Sequence, residues 1–293
     1  MRKIKILLLL LWSVSSQAAV FVVGEGLYWQ AHGNGLEFAI EKGENSSHLK
    51  HLEFDRDYGF RIGVGDSLPF DAWDVYLSWT RFHTTARGHG KGDLLPLWTK
   101  EASAANDAKA HWRLHLGLID ADLGREFCIS KWVYLKPTLG VRCSVARQKY
   151  YITYRGDAFT RDLVSMKNKF FGIGPKIGLN SRFCVGGDIS LFAQGSLSLS
   201  SGKFYVHESD HLEGSPKFKV FNRFHLIRAF SDIRAGLEWA SSRTQVQVAW
   251  EHHLLFGQNQ LIRFMDGTLE GPSVSNLGDL TLQGLTVAAT FDF

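Results

Sequence analysis

Leu285-Thr286-Val287-Ala288-Ala289-Thr290-Phe291-Asp292-Phe293 closes the chain. Leu285, Val287, Ala289, Phe291 and Phe293 fall on one side, and Thr286, Ala288, Thr290 and Asp292 on the other. Alternation with period two describes a strand with one apolar and one polar face. Soluble sheets contain such strands too, so the reading depends on the rest of the chain.

The opposite end supplies the first addition. Arg2, Lys3 and Lys5 precede a short apolar run from Ile6 to Trp12, and Ser16-Gln17-Ala18 or Gln17-Ala18-Ala19 offers small residues for cleavage. This is the pattern of a secretory signal peptide, expected over residues 1–19, with 20–293 as one exported domain. The apolar run falls well short of the ~20 residues a spanning helix needs, and no longer one follows.

Charge and composition exclude several classes. The formal net charge is +4, and residues 1–19 hold three bases and no acid, so the remainder carries 4 − 3 = +1. A basic nucleic-acid surface is not indicated. Gly24-Glu25-Gly26 and Gly63-Val64-Gly65 lack a following helix, so they do not read as phosphate loops. His48, His51, His83, His89 and the pair His252-His253 show no zinc spacing. No Ser-His-Asp constellation is evident. No cofactor, metal or catalysis is expected.

Strand-like stretches recur near 20–31, 52–66, 72–85, 110–126, 131–154, 167–182, 187–206, 222–240, 243–257 and 279–293, giving about ten strands, with twelve as the alternative. Their connections alternate. His32 to His51, Ala86 to Lys109, Arg155 to Met166, His207 to Phe221 and Gln258 to Gly278 are long, whereas Ser67 to Asp71, Phe127 to Ser130, Phe183 to Gly186 and Ser241-Ser242 are short. An all-β transmembrane barrel of the outer-membrane type has this rhythm, with long extracellular loops, short periplasmic turns and both termini in the periplasm.

The faces agree. Phe171, Ile173, Pro175, Ile177 and Leu179 oppose Gly172, Gly174, Lys176, Gly178 and Asn180. Trp73, Val75, Leu77 and Trp79 oppose Asp74, Tyr76, Ser78 and Thr80. Val246, Val248 and Trp250 stand against Gln245, Gln247 and Glu251. Apolar faces would meet lipid and polar faces the lumen. An unpaired edge is not tolerated in hydrocarbon, so the strands must close. Two strands break phase: Leu114, Leu116 and Leu118 give way to Ile119, Ala121 and Leu123, and the last strand switches near Gly284. A β-bulge in each would explain it. Trp29, Trp73, Trp79, Trp112, Trp132, Trp239 and Trp250 tend to fall near strand ends, which fits interfacial belts, with buried core aromatics as the alternative.

An exported chain with this terminal strand resembles bacterial outer-membrane barrels. That resemblance implies that Phe291 and Phe293 are read by the barrel assembly machinery. More specifically, Gly26-Leu27-Tyr28-Trp29, Tyr58-Gly59-Phe60-Arg61-Ile62-Gly63-Val64-Gly65, the run Trp73 to Thr84, Trp112-Arg113-Leu114, Gly124-Arg125-Glu126-Phe127 and the run Lys169 to Leu179 resemble the Legionella-type major outer membrane protein family. The resemblance spans nearly the whole exported chain and lies in strands. It implies an outer-membrane, pore-forming protein.

The expected lumen charges are Arg61, Arg113, Lys136, Arg142, Lys176 and Arg234, with Asp74, Asp232, Glu238 and Glu251. They read either as a solute path with weak anion preference or as a salt-bridge network filling a narrow barrel. The segment His207-Glu208-Ser209-Asp210-His211 reads as a solvated polar loop. Cys128 and Cys184 fall in periplasmic turns, where disulfide cross-linking is conceivable, while Cys143 sits on an apolar face. The expected role is passive diffusion of small solutes together with a structural role, with Ala86 to Lys109 folding inward to restrict the lumen. The alternatives are a closed structural or adhesin barrel, or an enzyme with a loop-borne site. The expected partners are outer-membrane lipid, the assembly machinery, small solutes and a second copy of the chain, and no nucleic acid.

Overall fold

The computed structural model describes residues 19–44, 46–68, 71–99, 104–264 and 273–293. The expected signal segment therefore lies almost entirely outside the described residues. Ten long strands run in order: β1 (Ala19–Gly33), β2 (Arg56–Ser67), β3 (Trp73–Pro96), β4 (Ala105–Arg125), β5 (Val133–Gly156), β6 (Phe159–Gly186), β7 (Ile189–Leu212), β8 (Ser215–Ala240), β9 (Thr244–Phe264) and β10 (Ser273–Asp292). Each pairs antiparallel with its sequence neighbours. The sheet closes where β10 pairs with β1, from Phe21↔Asp292 to Gly33↔Leu280. Closure satisfies the ladder of every long strand and leaves no edge to lipid.

The outward faces carry the lipid belt. Val64, Val75, Leu77, Trp79, Ile119, Ile173, Leu197, Ile233, Leu237, Trp250 and Val287 are exposed large hydrophobics. Their even spread around the wall is what a hydrocarbon environment selects.

The strands are longer than the hydrophobic pattern alone marks. Much of Ala86–Lys109, Arg155–Met166 and His207–Phe221, read as loops, is strand that lifts the wall beyond the belt. The β7–β8 hairpin turns at Glu213 (φ 50°) and Gly214 (φ 80°), the left-handed pair that suits a tight hairpin. His207 to His211 is accordingly strand, and Glu208, Ser209 and Asp210 are buried rather than solvated.

The two expected bulges are absent. Register runs unbroken through Leu114–Leu123 against both neighbours, and through Gly284 on both sides of β10. The change of pattern marks a change of surroundings. Leu114, Leu116, Leu280 and Leu282 point inward into an apolar core, whereas Ile119, Leu123, Leu285 and Val287 point outward to lipid. One continuous strand thus has its apolar side inside at its outer end and outside at its membrane end. Trp29 and Trp112 follow the same logic. Both are fully buried inside the barrel instead of lying in a belt, while Trp79, Trp132, Trp239 and Trp250 are exposed.

That inner core fills the extracellular half. Trp29, Phe82, Trp112, Tyr150, Tyr154, Phe170, Phe204 and Phe230 are at most 1% exposed. The excursion after β1 folds onto it: Ala39–Lys42 pairs with Ser47–Lys50 and with β3, and Leu36, Phe38 and Leu52 join the core. Leu97 and Trp98, just past β3, are buried in the same core.

Candidate functional site

The inward positions of the membrane-spanning strands carry charge, and the alternation that exposes apolar groups to lipid puts them there. Arg61 on β2 bonds Glu25 on β1 at 2.7 Å and Glu251 on β9 at 3.0 Å. Arg234 on β8 reaches the same two acids at 3.1 and 3.3 Å. Arg142 on β5 forks onto Asp120 of β4 at 2.8 and 2.7 Å and reaches Asp232 of β8 at 2.6 Å. Lys176 on β6 holds Asp120 at 2.9 Å and Asp122 at 2.7 Å.

His253 joins the two halves. Its Nδ1 lies 2.7 Å from Asp232 and its Nε2 2.9 Å from Glu251. An unbroken chain of ion pairs and hydrogen bonds therefore runs from Glu25 to Asp122. Buried charges are tolerated when each is paired and its remaining hydrogen-bonding positions are filled.

Closer to the periplasm, Lys136 meets Asp74, Arg182 lies between Glu126 (3.2 Å) and Glu238 (3.6 Å), and Gln247 bridges Arg234 and Glu238. A cavity of about 410 Å³ begins at this end, beside Phe21 and Asp292, and stops at the network. Its lining holds six bases (Arg61, Lys136, Arg142, Lys176, Arg182 and Arg234) against eight acids (Glu25, Asp74, Asp120, Asp122, Glu126, Asp232, Glu251 and Asp292). The slight basic excess read from sequence is thus reversed.

Above the network the lumen is closed by aromatic side chains. The Trp29 ring lies 4.6 Å from His253 and 5.5 Å from Phe82, and Arg61 stands over it at 5.7 Å. Its Nε1 donates to Thr286 Oγ1 at 3.1 Å. Phe170 packs on Phe204 at 4.6 Å and on Phe230 at 6.5 Å. Tyr150 and Tyr154 donate their hydroxyl protons to the carbonyls of Leu36 and Phe38, at 2.6 and 2.5 Å, pinning the excursion after β1 over the mouth.

Beyond the belt the inner wall holds a different acid. Glu208 is buried, and one of its carboxylate oxygens has no hydrogen-bond partner among the described residues. Burial, reinforced by Asp210, pushes its pKa up to about 8.

Arg61, Asp74, Lys136, Arg142, Lys176, Asp232, Arg234, Glu238 and Glu251 face the lumen, where they are paired in a network instead of standing along an open path. Arg113 does not. It lies between inward Trp112 and Leu114 and is exposed on the outer wall, because the phase of β4 never shifts. Glu25, Asp120, Asp122 and His253 were not singled out from sequence. Counting by two from Leu27 and Leu118 would have found Glu25 and the two aspartates. Counting by two from Glu251 finds His253 in the same way, and only its contacts with Asp232 and Glu251 show its role.

The three thiols are free. Cys128 is exposed and Cys184 half-buried at the periplasmic end, and Cys143 is half-buried. Cys184 receives a contact from Ser190 Oγ at 3.7 Å. Cys128 and Cys184 form no disulfide with each other. Phe291 and Phe293 are exposed, and the Phe293 N–H bonds the Val20 carbonyl at 2.9 Å.

The profile of the family described as Legionella pneumophila major outer membrane protein precursor matches residues 15–293. No curated protein matches the chain. Among solved structures, the outer membrane protease OmpT from Escherichia coli is similar over 96% of this chain and 99% of that one, with 11% identity and a TM-score of 0.53. A major outer membrane protein from Thermus thermophilus covers 95% of this chain and 100% of its own, at 11% identity and a TM-score of 0.38. The first likeness supports the barrel fold.

Proposed function

The chain belongs to the Legionella pneumophila major outer membrane protein family, and on that premise we propose that it is a closed structural barrel of the bacterial outer membrane. The observation that carries this reading is the occluded lumen. A salt-bridge network spans the middle, and Trp29, Phe82, Trp112, Phe170, Phe204 and Phe230 fill the section beyond it, each at most 1% exposed. A section packed with these rings leaves a hydrated ion no continuous water path, so crossing it would cost the ion its hydration.

Passive diffusion of small solutes is the second reading. The periplasmic cavity and its charged lining favour it, and it requires the aromatic section to move. We assign no reaction. The imidazole–carboxylate contacts of His253 lie beneath Trp29 and face the periplasmic cavity. The exposed Phe291 and Phe293 on the closing strand are read as the segment the assembly machinery takes.

Planar-bilayer recording from folded protein tests the proposal. Silence is expected from protein whose folding is verified by heat-modifiable electrophoretic mobility. Stable ohmic steps from the same preparation would overturn it and favour diffusion.

A further inference from the structure

The outer wall changes character just beyond the lipid belt. On six consecutive strands the outward face passes from apolar to basic within one or two outward positions. Trp79 is followed by Arg81 and His83 on β3, and Ile119 by Gly117, His115 and Arg113 on β4. Val145 is followed by Arg147 and Lys149 on β5, and Phe171 by Lys169 and Lys167 on β6. Leu199 is followed by Ser201 and Lys203 on β7, and Ile227 by His225 and Arg223 on β8. Their register makes these positions neighbours. One row reads His83–His115–Arg147–Lys169–Tyr205–Arg223 and the next Thr85–Arg113–Lys149–Lys167–His207–Phe221.

Arg147 stands directly opposite Lys169, and Lys149 stands between Arg113 and Lys167. Like charges facing each other across a ladder are destabilising. No acid relieves them. The acids on these outward faces, among the described residues, are Asp107 and Asp93, both near the rim, where Asp107 is held by His89 at 2.7 Å and Asp93 lies 3.7 Å from Lys42. Burial lowers the pKa values of His115 and His207; His83, Lys149 and Arg147 lower that of His115 further, and Lys167 lowers that of His207 against the raising hydrogen bond to the Val220 carbonyl. A groove of about 650 Å³ opens on the same wall above the rows, lined by Arg87, Lys109, His111, Arg113 and Tyr151, with Glu53 at its edge.

We propose that this band binds a phosphate-bearing glycolipid of the outer leaflet, its phosphates on Arg113, Arg147, Lys149, Lys167 and Lys169 and its acyl chains on the apolar residues directly below. Three features select a lipid over a soluble polyanion. The basic rows continue the hydrophobic belt without a gap. They lie on the side of the wall, where lipid headgroups stand, and not at the hairpin tips. They run across six strands, five spacings of about 4.8 Å, which is wide enough for several headgroups. Cations placed at headgroup height each add to attraction for an anionic leaflet.

The test uses the folded full chain in nanodiscs of zwitterionic phospholipid, with diphosphorylated lipid A as probe and bound lipid counted by native mass spectrometry. Arg147→Gln/Lys149→Gln/Lys167→Gln/Lys169→Gln is expected to weaken binding by about tenfold or more, with heat-modifiable mobility unchanged. Lys91→Gln/Lys217→Gln, at the rim, is expected to leave binding as it is. Where the fourfold variant does not fold, Arg147→Gln/Lys169→Gln replaces it, with a smaller loss in the same direction. Binding unaffected by the substitutions, or equally strong for lipid A stripped of its phosphates, would overturn the proposal. Displacement of the lipid by heparin at equal anion concentration would also overturn it, and would mark the band as a site for soluble polyanions.

Discussion

Arg142 and Asp232 touch across the lumen at 2.6 Å, although two strands separate theirs in the wall. β5 and β8 can meet this way only where the interior is narrow enough for one guanidinium to span it. The same contact that ties opposite walls together removes the space a solute would need. Stability and closure therefore come from one group.

Replacing Arg142 with Met leaves Asp120 held by Lys176 alone and Asp232 held only by His253 and Ser196. Removing one member of a buried ion pair costs roughly 3–5 kcal/mol. The expected result is a lower denaturant midpoint in micelles. Adding Asp232→Asn should restore part of the loss. Additive losses in the double variant would show that the two residues do not act together.

Tyr150 and Tyr154 pin the excursion after β1. Each hydroxyl bond contributes about 1 kcal/mol. Tyr150→Phe/Tyr154→Phe is expected to raise the rate of protease cleavage within residues 34–55 by roughly ten- to thirtyfold in folded protein, since local opening controls cleavage there. An unchanged rate would mean that packing of Leu36 and Phe38 alone holds the segment.

Glu208 gives the extracellular wall a pH dependence. Its folded pKa of about 8 lies above the ordinary glutamate value of 4.5. At pH below about 4.5 both folded and unfolded chains hold the proton, and the full stability is present. As pH rises from there through 8, the unfolded chain releases the proton more readily, so stability falls. Glu208→Gln should leave the melting temperature close to wild type at pH 4.5 and increasingly above it towards pH 8. Parallel pH profiles for the two proteins would exclude this origin.

Cysteine labelling reports topology. Cys128 is exposed in a short turn region, and Cys143 stands between outward-facing Val141 and Val145 in the belt. A membrane-impermeant maleimide added to whole cells should label neither. After the outer membrane is permeabilised it should label Cys128 and spare Cys143. Labelling of Cys128 on intact cells would invert the orientation of the barrel.

The sequence determined the closed barrel through local causes. Alternation at Leu285–Phe293, Trp73–Thr80 and Phe171–Asn180 follows from two environments on the two sides of one strand, which a period-two backbone converts directly into pattern. Long and short connections fixed the direction of insertion. The lumen positions of Arg61, Arg142, Lys176 and Glu251 followed from the same alternation.

The tertiary structure decided what alternation cannot carry. Apolar residues at Leu114 and Leu282 look like lipid-facing positions out of phase, and only the filled extracellular interior shows that they face inward. Arg113 was misplaced for the same reason. The salt bridges join residues up to 209 positions apart, as for Glu25 and Arg234, and they depend on barrel diameter and shear, which no single strand encodes. The basic band is likewise invisible along the chain, because Arg113, Lys149 and Lys167 become neighbours only when the ladders are in register.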